Sequence, residues 1–278
     1  MPRNYPDTYR HPLPNGLYYD MVRVRPGVFV MGSDAEEADD DERPEHIVRI
    51  TQDYYIGAYP VTQAVWKAVM GDYNPSRFKG ERRPVEKVSW QDIVEGGQDD
   101  TVPKGFLYRL NTQYPSTDEV LSGFAFSLPT EAEWEYAAKN GHYSAIKEGQ
   151  SFKAIDLYAY YAGSDLLKEI GWFNQNSHLE TKVVGKQLPN NLGLYDMSGN
   201  VYEWCMDSYS EFFYKSCHDR GVAIDPLFRD EEASHAVIRG GAWNYSAAYC
   251  RVSYRGSRRP SNRGVNHGFR LVLTQVQR

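Results

Sequence analysis

Cysteine is scarce: Cys205, Cys217 and Cys250 are the three in 278 residues. So small and odd a number is not a disulfide framework. No CxxC and no HxxH occurs, and the seven histidines stand singly, so a zinc or non-haem iron site has no support. No apolar run is long enough to span a bilayer. The first sixteen residues, "MPRNYPDTYRHPLPNG", lack the apolar centre of a secretory signal, and the compartment this suggests is the cytoplasm. No repeat of solenoid spacing and no linker composition interrupts the chain. Acidic residues are absent from Arg239 to Arg278, which holds eight arginines.

Tyrosine, by contrast, is abundant at 22, and hydrophobic residues make up 41%. That is a globular composition with enough length for a sizeable core. The C-terminal arginines give that segment a net charge of +8 beside −14 for residues 1–238. A nucleic-acid patch is one reading. The other, which we favour, is internal pairing, because the arginines alternate with Gly, Ser and Asn and no nucleic-acid motif is present. The run "DAEEADDDE", Asp34 to Glu42, reads as a solvated loop.

Three helices are announced by their caps. Thr62 precedes "QAVWKAVM", which stops at Gly71. Ser89 precedes "WQDIVEG", with Asp92 three residues on. Thr130 precedes "EAEWEYAAKN", with Glu133 at the capping-box position and Gly141 past the end. Within "MVRVRPGVFVMGS", "HIVRITQDYYIGAYPV", "HAVIRGG" and "GFRLVLTQ" lie short strands. Residues 143–195 show little periodicity. A compact α+β domain with much irregular structure fits.

Seven blocks in order carry a resemblance: "MVRVRPGVFVMGS", "YPVTQAVW", "PVEKVSWQD", "FSLPTEAEWEYAA", "VGKQLPNNLGLYDMSGNVYEW", "IRGGAW" and "NHGFRLV". Together they resemble the formylglycine-generating enzyme family, the sulfatase-modifying factor domain. The resemblance implies an α+β fold, a variant of the C-type lectin fold with small mixed sheets, few helices and extensive loops. It places a single domain over residues 17–278 behind an extension, 1–16.

The family's enzymes oxidise a cysteine to formylglycine, using two cysteines that hold copper(I). A soft ion takes a thiolate pair. By position, the second thiol is Cys250, but the first is Tyr245, which is no substitute ligand. Ala242 stands where the family has a serine, and Tyr202 where it has a tryptophan. No copper is expected, and no catalytic residue is assigned; were the chain an enzyme, Cys250 would be the residue. A calcium site is also implied, with the Asp196 and Glu203 carboxylates and the Gly199 and Val201 carbonyls as ligands. The alternative is that Asp196 and Glu203 pair with arginines such as Arg239 or Arg270.

The segment from Asn244 to His267 contains no Lys, Glu, Gln, Met, Asp or Trp. Between apparent framework residues stand Asn244, Tyr245, Ser246, Tyr249, Tyr254, Gly256, Ser257, Arg258, Arg259, Gly264, Val265, Asn266 and His267. Each is reachable from an AAC codon by replacing adenines. This resembles the variable proteins of diversity-generating retroelements, which diversify surface residues on such a scaffold. The implied variable region is 239–271. Tyrosine offers rigid amphipathic contact area, while Ser, Gly and Asn offer adaptable hydrogen bonds. Two expectations follow: a non-catalytic protein binding a macromolecule, a protein rather than a nucleic acid, or an oxidase with an altered site around Cys250.

Overall fold

The computed structural model describes residues 5–94, 104–147 and 158–276. Three small sheets form the frame. The largest contains β1 (Thr8–Pro12), β2 (Tyr18–Val24), β5 (Tyr54–Gly57), β12 (Val272–Gln275) and β6 (Phe124–Ser127), in that spatial order and antiparallel throughout. A C-terminal strand thus sits between two elements from the first half of the chain. The stretch read as an extension supplies the edge strand β1, whose Tyr9 and His11 point inward. The second sheet joins β3 (Gly27–Met31), β4 (His46–Ile50) and β8 (Val222–Ile224).

The third sheet positions the site. Its order is β10 (Gly256–Arg258), β9 (Ala236–Arg239), β7 (Tyr202–Ser208) and β11 (His267–Gly268), with β11 parallel to β7. Three of these four strands lie in or touch the segment 239–271.

The capped helices form where the sequence places them. Helix α1 (Gln63–Met70) begins at Thr62, whose hydroxyl accepts from the Val65 amide, and ends at Gly71 with φ +90°. Helix α2 is Trp90–Val94. Helix α4 (Glu131–Ala138) has the full Thr130–Glu133 capping box but stops short of the anticipated end, where Asn140 and Gly141 turn left-handed. Helices α3 (Phe106–Gln113), α5 (Leu167–Ile170) and α6 (Phe213–Asp219) have no counterpart among the cap signals. Much of the remaining chain is bends and turns, including most of 171–201. No helix among the described residues is long and apolar enough to cross a membrane.

Candidate functional site: a tyrosine ladder on an arginine-riveted loop

The segment after β9 opens with two glycines in the left-handed region, Gly240 at φ +91° and Gly241 at +71°. A Cβ on Gly241 would lie 2.6 Å from both the Cys250 sulfur and the Tyr249 carbonyl oxygen. Only glycine lets the chain turn here while the 3-10 turn Ala247–Cys250 packs against it. Trp243 fixes the next position: its indole N–H donates to the Val265 carbonyl at 3.2 Å, and Phe78 meets its ring edge-on at 5.2 Å.

The arginines of the segment point inward to acids from elsewhere in the chain. Arg251 forks onto Glu42, at 2.7 and 2.6 Å. Arg255 forks onto Glu131, at 2.7 and 2.9 Å. Arg239 reaches Glu131 at 2.7 Å and Glu135 at 2.5 Å. Arg270 forks onto Glu203, and the more exposed Arg263 onto Asp92. Internal pairing therefore accounts for five of the segment's eight arginines. Among the described residues, Arg258 and Arg259 pair with no carboxylate.

Above these rivets four rings meet edge to face. Tyr202 and Tyr245 have centroids 5.1 Å apart at 83°, Tyr245 and Tyr249 5.2 Å at 77°, and Tyr249 and Tyr254 5.1 Å at 85°. This is the favoured quadrupole geometry for aromatic pairs, so the ladder holds itself. Tyr202 is buried, Tyr245 and Tyr254 are half-buried, and Tyr249 is 39% exposed. Arg258 donates to the Tyr245 hydroxyl at 3.1 Å. Asn244, Ser246 and Arg259 are exposed, and Ser257, Gly264 and Val265 are half-buried.

Three residues grouped with this face lie beneath it instead. Gly256 is in β10, where a Cβ would press on Ile238. Asn266 is buried and bonds Asn244, 3.1 Å away. His267 is 3% exposed in β11, edge-on to Trp204 and Tyr202. Burial, then Arg258, pushes its imidazole down to about 4, so it is neutral at physiological pH. Membership of the short strands β10 and β11 is not visible in the spacing.

The polar attachments of these thirteen residues divide in two. Side-chain bonds run among themselves, Arg258 to Tyr245 and Asn266 to Asn244. Bonds to the rest of the protein use their backbone: Asn174 and Tyr202 amides donate to the Tyr245 and Asn266 carbonyls, and the Lys87 amide to Gly264.

Cys250 lies in a small cluster with Tyr161, Leu167, Ile170 and Phe173, fully buried. Burial pushes its thiol up to about 12, so it stays protonated at neutral pH. Cys205 and Cys217 are also buried and unpaired, their thiols raised by burial. All three behave as packing residues.

The calcium ligand set implied by the resemblance does not fit. Both Glu203 oxygens accept from Arg270, at 2.8 Å each, and one also takes the Trp134 indole N–H at 2.7 Å. The carboxylate is thus neutralised and its bonding capacity largely filled. Asp196 has no direct arginine pair among the described residues; it accepts from the Gly185 amide and the Asn200 side chain. Burial pushes its carboxyl up to about 6. Calcium at millimolar concentration is expected to leave the thermal midpoint unchanged to within about 1 °C. A clear calcium-dependent rise in a melting experiment would overturn this account of Glu203.

Two contributors escape a reading of the sequence. Tyr202 stands out there only as a departure from the family motif, yet it is the base of the ladder. Glu42, in the run read as a solvated loop, is the buried partner of Arg251 across 209 residues. Only the charge imbalance hints at such a pair.

These features define the class. The chain belongs to the sulfatase-modifying factor enzyme 1-like domain family, whose model matches residues 10–275. It has that family's variant of the C-type lectin fold. It is 33% identical over 257 residues to the chaperone protein LppX of Paenibacillus barcinonensis, covering 80% of this chain and 81% of that one. It is 31% identical over 228 residues to the formylglycine-generating enzyme of Thermomonospora curvata, covering 76% of this chain and 62% of the enzyme. Among solved structures, Treponema denticola variable protein 1 superposes with a TM-score of 0.71 at 28% identity, covering 98% of this chain and 100% of that one. The resemblance to variable proteins read from residues 239–271 is thereby matched by the likeness of whole structures.

Proposed function

We propose that this protein is a non-catalytic binding member of its family, a variable protein of a diversity-generating retroelement that presents the tyrosine ladder to a macromolecular ligand. The observation that carries the reading is Tyr245. It stands where the oxidase chemistry needs a thiol, and its ring is built into the ladder on both sides. A phenol is a poor partner for copper(I), and the remaining thiol is buried and protonated. Likeness to a variable protein and to a chaperone protein supports the same conclusion. A protein partner suits a Tyr-rich face better than a nucleic acid does, because the arginines beneath it are already paired. Three unpaired cysteines fit a reducing compartment.

Two measurements test this. Purified protein is expected to bind copper(I) no more tightly than its Cys250→Ser variant and to form no aldehyde on a Cys-containing sulfatase peptide. Aldehyde formation would establish the oxidase alternative. At the locus, a near-copy of the segment encoding 244–267, differing at adenines and lying beside a reverse transcriptase gene, is expected. An intact locus without one would remove the retroelement reading.

A further inference from the structure

We infer that the ladder's ligand is a basic protein surface, because the structure lays the exposed part of an acidic run along one end of the tyrosines. This rests on the binding reading and adds the partner's chemistry. The run is Asp34–Glu42, and framework arginines of the segment 239–271 hold it in place. Arg251 forks onto Glu42, and Arg255 donates to the Asp41 carbonyl at 2.9 Å. Tyr209 donates to the Asp41 carboxylate at 2.7 Å. Those two arginines are thereby used up inside.

What remains at the surface is mostly negative, with half-buried Arg43 the cation held among the run's Ala35, Glu36 and Ala38 carbonyls. Asp34, Glu36, Glu37, Asp39 and Asp40 are all exposed. The run is tied in at the ladder's Tyr254 end by Arg251, whose guanidinium forks onto Glu42 and lies 5.9 Å from the Tyr254 ring centroid. Burial, then Asp39, Tyr249 and Asp41, pushes the Tyr254 hydroxyl up to about 12, and Glu37 acts on Tyr160 in the same sense. Tyr160 is 38% exposed, and its carbonyl accepts from the Val252 amide at 3.1 Å. The part of the run around Glu37 and Asp39 therefore borders Tyr160 and Tyr254 at one edge of the face. The other end is different: Arg258 is held by Tyr245 and the Ser257 carbonyl, and exposed Arg259 stands beside it.

This charge pattern selects a partner. Aromatic faces attract Lys and Arg heads by cation–π interaction, and nearby carboxylates add long-range steering and charge-assisted hydrogen bonds. Arg258 and Arg259 repel a partner that is basic throughout, so its positive groups register over the acid end. A partner with acidic residues facing Asp34–Asp40 is excluded by like-charge repulsion.

The test uses a displayed library of random 12-residue peptides, panned on the full chain at low salt. Recovered peptides are measured against wild type, against Tyr249→Ala and Tyr254→Ala, and against the triple variant Glu36→Gln, Glu37→Gln, Asp40→Asn. Those three acids have exposed side chains, so the triple variant is expected to fold normally, checked by its thermal midpoint. The expected result is Lys- and Arg-enriched peptides. Their binding should fall about 30-fold in each tyrosine variant and associate about tenfold more slowly with the triple variant at low salt. Peptides that need the tyrosines but show no basic enrichment, and bind the triple variant unchanged, overturn the partner assignment while leaving the binding face standing. Basic peptides that ignore both tyrosine variants show the acid run binding alone, which overturns the joint surface. No tyrosine-dependent binder at all counts against both this inference and the function it rests on.

Discussion

Replacing Glu131 with glutamine is expected to cost about 3–5 kcal/mol of folding stability. The site is a buried charge cluster, not a surface pair. Glu131 takes the Arg255 fork, one Arg239 nitrogen, and the Tyr214 hydroxyl at 3.2 Å. Arg239 also reaches Glu135, which in turn holds Lys139 at 2.7 Å. Removing the Glu131 charge leaves three buried cations facing one carboxylate. Total stabilities of about 5–15 kcal/mol are typical, so much of the folded population is at stake. The effect carries a pH signature. Burial alone would raise the Glu131 carboxyl from its ordinary 4.5, but Arg255 and Arg239 more than reverse this and hold it at about 2. A depressed carboxyl stabilises fully above the unfolded value and loses that contribution as pH falls. The stability gap between wild type and Glu131→Gln should therefore narrow by about 3 kcal/mol between pH 5 and pH 2. Urea unfolding at a series of pH values reads it directly; a pH-independent gap, or one below about 1 kcal/mol, contradicts the cluster's role.

Gly241→Ala is expected to cost about 2–4 kcal/mol and to abolish ligand binding in whatever fraction still folds. Two penalties combine. An alanine at φ +71° is strained on its own. Its methyl would also sit 2.6 Å from the Tyr249 carbonyl and the Cys250 sulfur, so the 3-10 turn must move, and Tyr249 moves with it. Adding Cys250→Ala removes the sulfur contact but not the carbonyl contact, so the double variant should recover only part of the loss. Full recovery of stability and binding would show that the thiol alone demands a glycine here.

The sequence announces what local chemistry controls. The caps at Thr62 and Thr130 set two helix starts, because a hydroxyl at that position satisfies a specific amide. Helices α3 and α6 escape because Gly105 and Phe212 provide no side-chain cap. Strand β7 escapes because its first four residues are all buried, so the alternation that marks a half-exposed strand is absent. In the site, the lack of acids from Arg239 onward correctly implies inward pairing, but no spacing can say which acids answer. The depth of His267 is equally hidden, since two residues of parallel pairing leave no pattern. Tyr245 and Tyr202 are identifiable only against the family's motif, and their contact only in three dimensions.

The division of bonds around the thirteen candidate variable positions bears on the proposed diversification. Their ties to the body of the protein run through main-chain carbonyls, which every amino acid possesses, while their polar side chains bond mostly one another. Substitution at the exposed and half-buried positions severs no ion pair that holds the domain, whereas Gly256, Asn266 and His267 are packed beneath them. If the segment is diversified as we propose, the face is a removable type block set in a permanent press, and different recognition surfaces can be printed from one machine without breaking its frame.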